Sequence, residues 1–280
     1  MSKKYLLLIG VILLGMGSLL LGGCNKANES RLKVVTTTSL IQQIVERVGG
    51  KYVTVSNIIP PAQCPGHFDV KPADIQRLAD ADLFLMHGWE GEKFSQTLID
   101  SVNNTTLSVV KINISGNWMA PSVQSQAVDE VVKILSEADV EHSSNYQQVA
   151  VDYKEKILAE ETNVKEELAG ANLAGVNVLG SAMQADFLKW VGLNVIGTYG
   201  EADSLTPQIV KDIVDKGKEF NVTLVIDNLQ NGADVGKGIA EELGAKRITI
   251  SNFPGGFANT ETWEKALDYN ISLILGAISE

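Results

Sequence analysis

Apolar positions along the chain alternate between short β-branched runs and longer stretches at helical spacing. Residues 33–37 form one such run. From Ser39 onward Leu40, Ile41, Ile44, Val45 and Val48 then fall on one side of a predicted helix. Further strands are predicted at 53–59, 83–86 and 107–112, with a helix at 74–81 between the second and third. The second half repeats the plan, with strands at 176–179, 194–199, 222–226 and 247–250. One of its helices opens on Thr206 as N-cap with Pro207 at the first helical position, and the last runs from 260 to 278. Strands separated by helices imply an α/β fold with parallel sheets and right-handed crossovers.

Between the halves, Tyr146, Val149, Tyr153, Ile157, Val164 and Leu168 recur at helical spacing, with Lys and Glu on the opposite face and Gly170 as a stop. At 1.5 Å per residue, a helix over 145–169 is a rod of about 37 Å. The expected organisation is therefore two α/β domains, 33–144 and 171–280, each with a small parallel sheet flanked by helices. One long backbone helix, 145–170, joins them, and a rigid connector of this kind predicts limited domain closure.

The first residues have a different character. Lys3 and Lys4 precede an apolar stretch, Tyr5 to Leu21, closed by Gly22, Gly23 and Cys24. This is shorter and differently flanked than a spanning helix and reads as an export signal over 1–23. Leu21-Gly22-Gly23-Cys24 resembles the lipobox of bacterial lipoproteins, which implies lipidation of Cys24 and a flexible tether over 24–32. Removing 1–23 takes away two lysines and no acids, so the formal net charge moves from −11 to −13. An acidic surface argues against nucleic acid and anionic headgroups as partners. The expected location is extracytoplasmic, anchored to the membrane by lipid.

Of the two cysteines, Cys24 is assigned to lipid, which leaves Cys64 without a disulfide partner. It stands in Cys64-Pro65-Gly66-His67, directly after the second strand. A thiol and an imidazole three positions apart on a Pro-Gly turn can point at one centre, at a strand end where open α/β sheets place their ligands. The bland alternative is a buried, inert cysteine. Of the three histidines, His87 follows the third strand on the same sheet edge, and His142 is expected as a solvated loop residue.

Val34-Val35-Thr36-Thr37-Thr38, Pro60-Pro61-Ala62 to His67, Pro72-Ala73-Asp74-Ile75, Ala79 to Leu83, Glu201 to Pro207 and Glu261-Thr262-Trp263 to Tyr269-Asn270 together carry a family resemblance. The chain resembles the solute-binding lipoproteins of bacterial zinc and manganese ABC transporters over nearly its whole length after the tether. The resemblance implies two parallel-sheet domains on one backbone helix, with metal held between them. It places the first ligand histidine on His67, one residue closer to Pro72 than usual. Asn117 stands where a second histidine is the rule, and Met183 lies near the third ligand position. Glu261 falls on the fourth, and Asp227 on a supporting acid. The family's histidine-rich loop is absent. Cys64 and His87 are expected to replace the lost ligands, giving a set of Cys64, His67, His87 and Glu261, with Asp227, Met183 and Asn117 ranked behind.

Such donors suit Zn²⁺ first, with Ni²⁺, Co²⁺ or copper as alternatives, and suit Mn²⁺ poorly. The expected function is capture of a transition-metal ion and delivery to a membrane ABC permease by a monomeric, non-enzymatic lipoprotein. One alternative is a same-fold receptor for a metal chelate or small organic ligand, with Trp89, Trp118 and Phe257 lining a larger pocket. Another is a thiol or metalloenzyme with Cys64 as nucleophile and a histidine base. No Gly-rich phosphate loop or Ser elbow supports catalysis.

Overall fold

Two four-stranded parallel sheets carry the fold in a computed structural model that describes residues 31–88 and 94–279. The expected export signal, the lipidation site Cys24 and Trp89 lie outside the described residues. The first half runs β1 (Leu32–Thr36), α1 (Ser39–Gly49), β2 (Val53–Asn57), α2 (Pro72–Ala79), β3 (Leu83–His87), α3 (Phe94–Asp100), β4 (Ser108–Ile112) and α4 (Pro121–Ala138). The long α5 (Ser143–Leu168) follows. The second half runs β5 (Asn177–Ser181), α6 (Ala185–Val191), β6 (Asn194–Tyr199), α7 (Pro207–Glu219), β7 (Leu224–Asn228), α8 (Lys237–Leu243), β8 (Lys246–Ile250) and α9 (Trp263–Ser279).

The strand orders are β2-β1-β3-β4 and β6-β5-β7-β8, the same topology twice. In each sheet the chain reverses direction across the sheet between its first and third strands, the point where such sheets open a crevice at their carboxyl ends.

Strand ends differ from the periodicity for identifiable reasons. Ile58 and Ile59 still run beside β1, donating to the carbonyls of Thr36 and Thr37, until Pro60 and Pro61, which have no N–H, end the pairing. The last helix starts at Trp263 rather than at residue 260. Thr260 closes a turn instead, its hydroxyl donating to the Phe257 carbonyl and accepting from the Phe257 N–H. The cap expected at Thr206 forms, its hydroxyl accepting from Ile209 N–H at 3.3 Å.

Side-chain alternation along the strands sorts the core. Val34, Leu83 and Leu85 of the first sheet join Val178, Leu224 and Ile226 of the second in one apolar cluster, which also includes the buried faces of α1, α5 and α9. Phe84 and Met86 face a separate outer layer, as do Leu179 and Val225 in the second half. The 26-residue α5, about 39 Å long, packs against α1 and α4 in the first half and α9 in the second. No helix among the described residues is long and apolar enough to cross a membrane. His142 is not a solvated loop residue: its ring stacks on Tyr52 at 3.8 Å and bonds Asp139 at 2.8 Å, just before α5.

Candidate functional site

All strands within each sheet are parallel, so every loop that leaves a carboxyl end emerges on the same edge of its sheet. A cavity of about 280 Å³ lies among loops from both edges. The first half supplies Cys64, Pro65 and Gly66 after β2, and Asn117 and Trp118 after β4. The second half supplies Met183 after β5, Glu201 after β6, Asn228, Gln230 and Asn231 from the end of β7, and Asn252 and Phe253 after β8.

Cys64 is extended, and Pro65–His67 form a single 3₁₀ turn whose His67 N–H returns to the Cys64 carbonyl at 3.3 Å. Proline favours this turn because its fixed φ suits the first helical position. The turn presents the Cys64 thiol and the His67 ring toward one carboxylate from the other half. Cys64 Sγ lies 3.7 Å from Glu201 Oε1, and His67 Nε2 lies 3.8 Å from Glu201 Oε2. The thiol is half-buried and the imidazole exposed, so the group stands at the cavity mouth. Burial, and after it the Glu201 charge, raises the Cys64 thiol above its ordinary range. The free protein therefore holds Cys64 protonated at neutral pH.

Several hydrogen bonds tie the two halves around the cavity. Asn117 Nδ2 donates to the Met183 carbonyl at 3.0 Å and to Asn252 Oδ1 at 2.9 Å. Ser39 Oγ donates to the Pro254 carbonyl at 2.7 Å, and Gln230 Nε2 to the Pro61 carbonyl at 2.7 Å. Below them Trp263 Nε1 donates to the Trp118 carbonyl at 3.0 Å. Gly255 allows the close approach of the loop after β8: its φ is +78°, and a Cβ there would lie 3.2 Å from Pro61 Cγ.

Four expected ligands are placed elsewhere or used otherwise. His87 is fully buried, shares a 2.7 Å hydrogen bond with Thr38 Oγ1 and packs edge-on against Trp118. It supports the Trp118 wall and does not line the cavity. Burial lowers its pKa to about 3, so it is a neutral ring. Glu261 is exposed and paired with Lys265 at 3.4 Å, away from the cavity. Asp227 is buried on the opposite face of β7, sharing the outer layer with Val225. Its oxygens accept from Arg247, Tyr199 Oη and Gly236 N–H at 2.7–2.8 Å. Asn117 is committed to the ties between halves, its Oδ1 also accepting from Met119 N–H.

Met183 does line the cavity, with an exposed side chain, and its carbonyl takes the amides of Asn117 and Asn252. Phe253, not Phe257, provides the second aromatic wall; Phe257 packs on Tyr269. Glu201 was visible only as part of a matched acidic segment. Its place just past the carboxyl end of β6 puts it on the counterpart of the sheet edge that Cys64 and His67 share in the first half, as it does Asn228 at the end of β7 and Gln230 and Asn252 just beyond strand ends. Among the described residues no three His, Cys, Asp or Glu side chains are already gathered closely enough to hold an ion.

Residues 34–277 match the family described as zinc-uptake complex component A, periplasmic, ZnuA. The chain belongs to the ZnuA family. This is a family of metal-binding substrate-binding proteins of ABC transporters. Among ZnuA-like relatives, the iron-binding protein YfeA of Yersinia pestis is 26% identical over 235 residues, covering 77% of this chain and 75% of that protein. The manganese-binding lipoprotein MntA of Bacillus subtilis is 25% identical over 148 residues, covering 47% of this chain and 48% of that relative. The manganese transporter lipoprotein PsaA of Streptococcus pneumoniae is 30% identical over 83 residues, 30% of this chain and 27% of that one. The fold is shared with the Ni²⁺ complex of FpvC from Pseudomonas aeruginosa, at a TM-score of 0.75 and 19% identity over 89% of this chain and 97% of that one. It is shared as well with the Mn-bound periplasmic metal-binding protein of Candidatus Liberibacter asiaticus, at a TM-score of 0.75 and 16% identity over 89% of this chain and all of that one.

Proposed function

We propose that this protein captures a transition-metal ion at the mouth of the cavity and delivers it to the permease of an ABC transporter, held at the outer face of the membrane by lipid on Cys24. The observation that carries the reading is the meeting of Cys64 and His67 from the first half with Glu201 from the second. Thiolate, imidazole and carboxylate are the donor types of zinc sites, and three protein ligands leave a fourth position open, as in sites that exchange what they bind. Rotation of three partly exposed side chains is the movement needed to close them on an ion.

The choice of metal rests on these donors. Relatives are named for iron and manganese, and solved neighbours hold Ni²⁺, Mn²⁺ or Cd²⁺. A thiolate favours Zn²⁺, and Ni²⁺, Co²⁺ or copper after it, over Mn²⁺, which prefers oxygen ligands. Zinc is the metal we assign.

Elemental analysis of residues 25–280, purified without the lipid signal and loaded with each divalent ion in turn, tests this. Stoichiometric zinc is expected in the wild type and in Glu261→Gln, and its loss in Cys64→Ser, His67→Ala and Glu201→Gln. A wild-type protein that retains no ion, with an unchanged melting temperature across the panel, overturns the reading.

A further inference from the structure

We propose that the metal enters this cavity already complexed by a small zwitterionic chelator of amino-acid size. The inference rests on the metal-binding reading of the same cavity and names the form of the cargo. It starts from size. The cavity of about 280 Å³ holds roughly nine water volumes, at about 30 Å³ each. An ion coordinated wholly by protein needs a small fraction of that space.

The lining has the chemistry of a binding site for an organic molecule. Cys64, His67 and Glu201 stand together at the mouth. Beyond them the lining includes the neutral amides of Asn228, Gln230, Asn231 and Asn252 and the aromatic residues Trp118 and Phe253. Carboxamides are weak donors to a borderline cation, and Asn231, which unlike Gln230 and Asn252 is not tied across the lining, offers both N–H and C=O to a ligand's carboxylate and amine groups.

That wall cannot fold inward onto a lone ion. Gln230 is fastened on both sides, donating to Pro61 O and Ser251 Oγ while its Oε1 accepts from Asn252 N–H. Asn252 is fastened to Met183 O and Asn117. Two of these bonds, Gln230 to Pro61 and Asn117 to Asn252, join the halves and fix the width of the cavity.

Charge narrows the chelator class. Asp186 shares the rim with Glu201 and is paired with Lys189 at 3.7 Å. With Asp186 offset by Lys189, the Glu201 carboxylate leaves the rim mildly negative, which disfavours a polyanion and suits a molecule whose own carboxylate is balanced by an amine. Three protein donors leave at least one coordination position of the metal for that molecule.

Native mass spectrometry and calorimetry on residues 25–280 test this with Zn²⁺ alone, Zn²⁺ with L-histidine, Zn²⁺ with citrate, and L-histidine alone. The expected result is retention of zinc plus one histidine, with zinc binding at least about tenfold tighter than for the bare ion. Asn231→Leu should lose the histidine mass while keeping bare-zinc binding, since Asn231 lines the cavity and is none of the three proposed metal donors. Zinc retained alone, with histidine acting only as a competitor, overturns the inference and leaves the metal receptor standing. A retained citrate complex in place of histidine overturns the zwitterionic class. Histidine bound equally well with and without zinc, and unaffected by Cys64→Ser, overturns this inference; an absence of zinc in every arm overturns the metal reading with it.

Discussion

The imidazole of His87 ends β3 on the face that Leu83 and Leu85 share, with none of its surface exposed. With its pKa lowered to about 3 by burial, the folded protein refuses a proton that the unfolded chain accepts near 6.5. Its contribution is intact above pH 6.5 and stability is lost as pH falls through the window toward 3, by on the order of a few kcal/mol. His87→Gln keeps a hydrogen-bonding group beside Thr38 and carries no charge, so its urea-unfolding stability should depend less on pH between 4 and 6.5 than that of the wild type. Asp227 makes a parallel case. Asp227→Asn weakens the bonds to Arg247 and Tyr199 and should cost about 3 kcal/mol. Zinc affinity per folded molecule should be unchanged. A large drop in affinity with intact stability would instead return Asp227 to the metal site.

The long helix α5 carries a joint with the helices of both halves. Arg47 of α1 lies over the Tyr153 ring at 4.2 Å and is paired bidentately with Glu264 of α9. Two turns farther along α5, the hydrogen bond shared with Asp268 of α9, aided by burial, raises Glu160 to about 7. Here the sign is opposite to that of His87. A carboxyl with a folded pKa above its unfolded value near 4.5 loses stability as pH rises from 4.5 to 7. Glu160→Gln removes that loss. The variant should melt higher than the wild type at pH 8 and the same at pH 4, by differential scanning calorimetry. Between pH 4.5 and 6.5 the two groups act against each other, so only differences between variant and wild type separate them.

The molecule as a whole is built to resist opening. One apolar cluster runs through both sheets, α5 spans them, and hydrogen bonds from Ser39, Asn117, Gln230 and Trp263 close the front. Radii of gyration from small-angle scattering should therefore agree to within about 1 Å with and without cargo. A change well above that would show a hinge that the shared core does not suggest. Much of this architecture was legible, because strand–helix alternation is written in local periodicity and Pro or Gly residues mark the turns. The site was legible only on one side. Cys64 and His67 share a turn, but their carboxylate partner Glu201 is 137 residues from Cys64 in sequence. Glu261, placed on a ligand position by the family resemblance, meets Lys265 rather than the cavity.

Local order along the chain determined the two sheets, the long helix and the Cys-Pro-Gly-His turn, since each depends on neighbours within a few residues. Side-chain direction at strand ends needed the folded molecule. Asp227 and Asn228 are adjacent, yet the alternation of β7 sends one to Arg247 and the other to the cavity. His87 and Met86 likewise face different cores. Folding also sets the cavity's width, because the bonds that fix it join residues more than 60 positions apart. Sequence alone thus marked the edge at which the site lies, and packing chose which residues of that edge look into it.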